Sequence, residues 1–245
     1  MSHGKTLGIV LARGGSRGLP RKNALEVAGK PMLAWTLEHA LSSASVDHLV
    51  LSTDDDELAD IAARYDVHVV RRTPELASDT APVDAAARHA VASIVGLHDA
   101  VVLLYGNVPV RPSDLTERAV RKLRDTGADS VQSVCQVGKM HPYWMHKLEG
   151  VDVDRLAPVT ENTIYRRQDL PPVYVLDGGV IAVTRQSLFN VVEGQPHSFL
   201  GSDRRAVTTL PGEVVDVDDA LGRDHAELIL QRQRAQQDDA GKATA

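Results

Sequence analysis

Leu7-Gly8-Ile9-Val10-Leu11-Ala12 runs directly into Arg13-Gly14-Gly15-Ser16-Arg17-Gly18-Leu19-Pro20-Arg21-Lys22-Asn23. The first six residues form an unbroken apolar run, as a strand covered on both faces of a parallel sheet requires. A glycine-rich basic loop follows. Pro31 then opens a segment whose Leu33, Leu37, Leu41 and Ala44 recur at helical spacing. Strand, loop and helix in that order begin an α/β layer fold.

The alternation continues along the chain. Residues 48–52 read as a second strand, and Asp54-Asp55-Asp56-Glu57 suits the positive end of a helix carrying Leu58, Ile61 and Tyr65. Residues 67–70 make a third strand. Pro82 starts a helix with Ala86, Ala90 and Ile94 on one face, 100–105 is a fourth buried strand, and Ser113-Asp114 begins another helix before a strand at 130–134. Between about 138 and 172 the period is lost, which reads as an excursion from the sheet: a flap or dimerisation arm, with an ordinary long loop as the plainer alternative. The sheet resumes at 179–183 and 214–217, and Asp218 caps a helix carrying Leu221, Leu228 and Leu230. The expectation is one mixed, mainly parallel α/β domain over 1–230, its arm at about 138–172, and a frayed polar tail at 231–245.

The 245 residues suit one large domain. Hydrophobic residues at 43% and charged residues at 24% exclude a disordered chain. No apolar run reaches the ~18 residues of a membrane span. The opening Met1-Ser2-His3-Gly4-Lys5-Thr6 lacks a signal-peptide pattern, and the single cysteine, Cys135, fits a reducing compartment. A net charge of −6 argues against broad nucleic-acid binding. The expected class is a cytoplasmic enzyme with neither membrane nor nucleic acid as partner.

Within that acidic chain, residues 13–30 carry five basic side chains (Arg13, Arg17, Arg21, Lys22, Lys30) against one acid, Glu26. Glycines let backbone N–H groups approach an anion, and arginine and lysine add charge, so the loop reads as a phosphate site. It follows neither G-x-x-x-x-G-K-[ST] nor G-x-G-x-x-G, and a solvated basic turn is the alternative. Asp216 and Asp218 stand two apart on a predicted strand, which aims both carboxylates to one face. Such close like charges call for a cation, and hard oxygen ligands completed by phosphates favour Mg2+. Asp152-Val153-Asp154 reads as a surface turn, Cys135 as core, and His141 and His146 lack the partners of a zinc site. Trp35 and Trp144 read as core or interface.

The stretch from Leu11 to Asn23 resembles the opening signature of the acylneuraminate (CMP-sialic acid type) cytidylyltransferases. The likeness continues in order through Gly29-Lys30-Pro31-Met32-Leu33-Ala34-Trp35-Thr36, Ser52-Thr53-Asp54-Asp55, Arg72-Thr73-Pro74-Glu75-Leu76-Ala77-Ser78-Asp79 and Val215-Asp216-Val217-Asp218, covering about residues 6–230. Asn23 after Pro-Arg-Lys, and the lack of a Gln-Gly-Asp-Glu-Pro segment, favour this family over the related ketodeoxyoctulosonate enzymes.

The resemblance implies a nucleotide-diphospho-sugar-transferase fold and Mg2+-dependent transfer of CMP from CTP to an acidic sugar, by a homodimer or homotetramer. It implies that Arg13 and Lys22 hold the triphosphate, that Asn23 contacts the nucleotide and that Arg72 helps bind the cytidine side. Gly14, Gly15, Ser16 and Asp79 join them in nucleotide binding. Lys22, Arg13 and Arg167 are the implied catalytic cations, Tyr105, Asn107, Arg167 and Asp177 the implied sugar contacts, and Asp216 and Asp218 the metal ligands.

Two departures stand out. Where the family carries Leu-Leu-Gln-Pro-Thr-Ser-Pro-Leu-Arg, this chain has Leu103-Leu104-Tyr105-Gly106-Asn107-Val108-Pro109-Val110-Arg111. Where it carries an arginine before Asn-Gly, this chain has Val175 and then Asp177-Gly178. The acceptor rim therefore differs from that of an N-acetylneuraminate enzyme. Another nucleotidylyl transfer, a metal-dependent glycosyltransferase and a non-catalytic nucleotide binder remain the competing readings.

Overall fold

A computed structural model describes residues 4–16 and 18–243, with side chains described as far as 236. Met1–His3, Arg17 and the last two residues lie outside it, and with them part of the N-terminal reading and one cation of the first loop. The described elements follow one another as β1 (Thr6–Leu11), β2 (Glu26–Val27), β3 (Lys30–Pro31), α1 (Met32–Ser42), β4 (His48–Thr53), α2 (Asp56–Ala63), β5 (His68–Arg71), α3 (Pro74–Ala77) and α4 (Val83–Ala92). Then come β6 (Ala100–Tyr105), α5 (Leu115–Thr126), β7 (Ser130–Gln136), β8 (His146–Glu149), β9 (Arg155–Pro158), β10 (Tyr174–Thr184), α6 (Arg185–Phe189), β11 (Arg204–Thr209) and α7 (Ala220–Ala243).

Seven strands form the main sheet in the order β11-β7-β10-β6-β1-β4-β5. β5, β4, β1 and β6 are parallel, β10 runs antiparallel to both β6 and β7, and β11 is parallel to β7. The sheet is therefore mixed and mainly parallel. β1 and β6 are buried at nearly every position because helices cover both faces. One core packs α1, α2 and α5 against the sheet through Leu33, Leu37, Leu58, Ile61, Leu115 and Leu123. A second packs α4 and α6 through Ala86, Ala90, Leu103, Ile181 and Leu188, and a third joins Ala226 and Leu230 of α7 to Val27, Met32 and Val217.

Local chemistry sets the helix starts. Asp55 caps α2 by accepting from the Leu58 amide at 3.0 Å, with Asp56 and Glu57 in the positive first turn. Between β7 and β10 the chain leaves the sheet as the β8–β9 hairpin, flanked by two 3-10 turns, within the stretch where the periodicity fails.

Several expectations need correction. Leu41 is half exposed and Ala44 lies beyond the end of α1. Residues 214–217 add no strand to the sheet: Val215 makes an isolated bridge to Val110, and the Val217 amide bonds the Asn107 carbonyl at 2.9 Å. The strand in that part of the chain is β11, unpredicted because an edge strand rich in arginine and threonine carries little apolar signal. Asp219 rather than Asp218 caps α7, accepting from the Gly222 amide at 2.7 Å. The inner face of α7 is Ala226 and Leu230, while Leu221 and Leu228 are exposed. The tail expected from Gln231 continues α7 as helix to Ala243.

Candidate active site

The first loop leaves the carboxyl end of β1 and is held from below by acids. The Gly14 amide donates to Asp54 Oδ1 at 3.0 Å. Arg21, in the left-handed region at φ 53°, pairs with Asp55 at 3.1 Å and with Glu57, so the acidic first turn of α2 anchors the loop as well as its own helix. Gly18 allows a close approach: a Cβ there would run into the Asp218 carbonyl oxygen, so a side chain would push the loop off the 216–218 segment.

On this frame the predicted nucleotide residues converge. Arg13, Gly15, Ser16, Lys22, Asn23, Arg72, Asp79, Tyr105 and Asn107 line one cleft of about 280 Å³. Gly14 belongs to the same loop, its amide occupied by Asp54. Arg13 pairs with Asp79 at 2.7 Å and Lys22 with Asp218 at 2.7 Å. Asn23 is buried; its Nδ2 donates to the Arg13 carbonyl at 3.0 Å, while Oδ1 is buried with no hydrogen-bond partner. An orphaned acceptor beside an open cleft is a place for a ligand's donor. Arg72 is fixed by Ser52, donating from Nε to Oγ at 2.9 Å and from Nη2 to the carbonyl at 3.0 Å. Burial pushes its pKa down to about 10, still cationic at neutral pH.

The cleft lies over the carboxyl ends of β1, β5 and β6. β4 contributes indirectly, through Ser52 beneath Arg72 and Asp54 beneath Gly14. Ligands of open α/β sheets bind at this end, where connections diverge from a central strand.

Asp216 and Asp218 meet at the same place, although no strand carries them. Asn107 Nδ2 donates to Asp216 Oδ1 and to the Val217 carbonyl at 3.2 Å, and reaches Asp218 Oδ1 at 3.4 Å. Asp216 keeps an exposed edge, but burial of the rest raises its pKa to about 6, helped by the Asp218 charge and opposed by Lys22 and Arg111. Lys22, paired with Asp218, and Arg111 are the cations that offset the two carboxylates. No cluster of three or more ligand-type side chains occurs among the described residues. Two carboxylates at the mouth of a phosphate-binding loop are the donor set that suits a hard divalent cation completed by phosphate oxygens and water.

A second cleft, of about 440 Å³, adjoins the first and shares Ala81, Pro82, Val83 and Tyr105 with it. Tyr105 thus stands between the two, its hydroxyl pKa raised by burial and by Asp216. Leu176, Ile181, Phe199 and Leu200 give this cleft apolar walls, with Gln132, Ser133, His197 and Arg204 as polar points.

Asp177 and Arg167 stand apart from both clefts. The Asp177 carboxylate is consumed internally, accepting from Ser133 Oγ, from the Gly179 amide at 2.9 Å and from Thr209 Oγ1 at 2.6 Å. Arg167 lies on the arm in a separate hollow with Gln136, His141 and Pro171, because the chain has left the sheet by that point. Nor is Cys135 core: it sits half-buried near the end of β7. His141 is buried, accepts from the Tyr143 amide at 3.1 Å and bonds the Pro171 carbonyl through Nε2 at 3.1 Å, so it ties the two ends of the arm together. Asp152 and Asp154 lie in an exposed turn, as expected.

Sheet and cleft together define an α/β protein of nucleotidyltransferase type. The sheet superposes on that of CMP:2-keto-3-deoxy-manno-octonic acid synthetase complexed with CTP, with a TM-score of 0.72 at 18% identity over 94% of this chain and 99% of the other. It also matches a 4-diphosphocytidyl-2C-methyl-D-erythritol synthase from Anaerococcus prevotii, with a TM-score of 0.64 at 15% identity over 93% and 96%. Residues 7–174 match the family model described as Cytidylyltransferase. The CMP-N,N'-diacetyllegionaminic acid synthase of Legionella pneumophila is 31% identical over 76% of this chain and 81% of its own length. The pseudaminic acid cytidylyltransferase of Campylobacter jejuni is 35% identical over 48% of this chain, a match spanning about half (53%) of that relative. The chain belongs to the cytidylyltransferase family, in its acylneuraminate branch.

Proposed function

We propose that this protein transfers CMP from CTP to the hydroxyl of an acidic, nonulosonate-type sugar and releases pyrophosphate. The observation that carries the reading is the convergence of Arg13, Lys22 and the orphaned Asn23 Oδ1 in one cleft, with Lys22 bridging to the Asp216/Asp218 pair. Arg13 and Lys22 offset the charge growing on the departing pyrophosphate, held in place beforehand by Asp79 and Asp218. Asn23 Oδ1 accepts a hydrogen bond from the nucleoside, and Arg72 gives that end a fixed donor. Asp216 and Asp218 would hold Mg2+, which when bound neutralises phosphate charge and polarises the attacking hydroxyl. The names of the relatives, which include pseudaminic, N,N'-diacetyllegionaminic and N-acylneuraminic acid enzymes, support an acidic nine-carbon-type acceptor.

The test is pyrophosphate release from CTP, UTP, ATP and GTP, each with a panel of acidic sugars, with and without EDTA. CTP should be preferred and EDTA should abolish release. Equal release from all four nucleotides would defeat the cytidine reading, and no release from any of them with any acidic sugar would contradict nucleotidylyl transfer.

Tyr105 replaces the family's glutamine at the junction of the two clefts. Tyr105→Gln should lower kcat/KM for the native sugar by ~10-fold or more, as when a site loses a matched polar contact, with KM for CTP nearly constant. Equal effects on both substrates, together with a lower melting temperature, would show that Tyr105 only packs against the sheet.

A homodimer through the arm is part of the same proposal. Leu148 and Leu156 are cross-strand partners on the β8–β9 hairpin, and both are exposed, as is Val159 just after β9. A soluble monomer rarely leaves such a patch open. Leu148→Glu with Leu156→Glu should convert a dimer to monomer in light scattering; an unchanged mass would place the interface elsewhere. Among the described residues no helix is long and apolar enough to cross a membrane. A cytoplasmic location completes the proposal, supported by the single half-buried thiol of Cys135.

A further inference from the structure

Arg111 makes four hydrogen bonds, all to neutral acceptors. Nε donates to the Gly179 carbonyl at 2.6 Å, Nη2 to the Tyr105 carbonyl at 2.8 Å, and Nη1 to Thr36 Oγ1 at 3.0 Å and to the Val108 carbonyl. These acceptors come from α1, from the turn that ends β6, and from the part of β10 where the register against β7 shifts between Leu176 and Ile181. No carboxylate pairs with Arg111 among the described residues. Removing a guanidinium from water beside neutral partners is costly, and burial pushes its pKa down to about 9 although the charges of Asp216 and Asp177 oppose the shift. An apolar side chain would cost less if the position served only to fill space.

What the cation gains is a planar fork that spans three segments at once. The Gly179 peptide is gripped on both sides: its carbonyl accepts from Arg111 and its amide donates to Asp177 at 2.9 Å. Thr36 Oγ1 reaches the Tyr105 carbonyl at 3.3 Å and the Val108 carbonyl at 3.2 Å, reinforcing the same turn. That turn carries Tyr105 and Asn107. The other side of the clamp carries Gly178 and Val180, which with Tyr105 line the second cleft.

We infer that Arg111 is a positioning residue for the acceptor: its fork ties the Tyr105–Val108 turn to the Gly178–Gly179 stretch, setting the width of the second cleft and holding Asn107 against the carboxylate pair. The inference rests on the proposed function, with the second cleft, which adjoins the nucleotide cleft at Tyr105, read as the place of the acceptor. The cation also lies behind Asp216, whose charge it partly offsets.

Arg111→Lys keeps the charge and loses the fork, since an ammonium cannot serve three carbonyls in one plane. It should lower kcat/KM for the acceptor by ~10²-fold, the scale of a small misplacement of reacting groups, chiefly through the acceptor's KM. The dissociation constant of CTP alone, measured by calorimetry, should stay within about threefold, because none of the four bonds goes to Arg13, Lys22, Asn23 or Arg72, the groups proposed to hold it. Amide exchange should speed up in peptides covering 105–110 and 177–180. Thr36→Val removes one acceptor without touching the charge and should give the same pattern at about threefold to tenfold, so the inference is testable even if Arg111→Lys does not fold. Losses of CTP binding and acceptor turnover in equal proportion, tracking the melting temperature, would reduce Arg111 to a core residue and overturn the inference, as would unchanged acceptor kinetics. If the wild type releases no pyrophosphate from CTP with any acidic sugar, the proposed function fails. The exchange experiment then still decides the clamp, supported by deprotection of both segments and overturned without it.

Discussion

Asp216→Ala should lower turnover by ~10²-fold or more while leaving the protein folded and no less stable. The two halves of this expectation have one cause. The Asp216 carboxylate is partly stripped of water and faces Asp218, so its proton affinity rises until its pKa reaches about 6. Holding that charge in the folded protein is unfavourable, and alanine relieves it. The Asn107 amide loses Asp216 Oδ1 but keeps the Val217 carbonyl at 3.2 Å. The same charge is what a divalent cation and the α-phosphate need beside them. Melting temperature and pyrophosphate release are the readouts. Activity within a few-fold of wild type at limiting Mg2+ would place the metal elsewhere.

Lys22→Met should cost ~10² to 10³-fold in kcat/KM for CTP, the range of other preorganised electrostatic groups. Lys22 links the phosphate loop to the carboxylate pair through its 2.7 Å contact with Asp218. In the proposed reaction that ammonium serves the triphosphate, so its loss removes charge where the leaving group forms. Lys22→Arg should recover part of the activity, because charge survives while the geometry changes. Stability should change little, since Asp218 is well exposed and its ion pair is screened by water. A loss confined to the sugar's KM, with CTP kinetics intact, would contradict the assignment.

The elements the sequence reveals are those with a single physical requirement. β1 and β6 sit under helices on both faces, so their apolar runs are unbroken. β11 and the 214–217 segment show the opposite case. An edge strand needs little apolar pattern, and alternating valines and acids mimic a strand where the chain lies against a turn. The pairing of Asp216 with Asp218 survives that error, because an extended segment places alternate residues alike whether or not it joins a sheet. Arg13, Lys22 and Asn23 are legible because the loop that carries them is short and contiguous. The surroundings of Asp177 and Arg167 are not legible because motif position says nothing of hydrogen-bond partners: Thr209 and Ser133 hold the first, and the arm carries the second to a separate hollow. The contact of Lys22 with Asp218 joins residues 196 positions apart and is invisible until the sheet is assembled.

The most direct test of the central claim follows the α-phosphorus of CTP. Incubation of the protein with Mg2+, an acidic nonulosonate and CTP labelled at that atom should move the label into a CMP-sugar ester and release unlabelled pyrophosphate in equal amount. Label that stays in CTP, or appears only as free CMP, across a panel of acidic sugars would contradict the account.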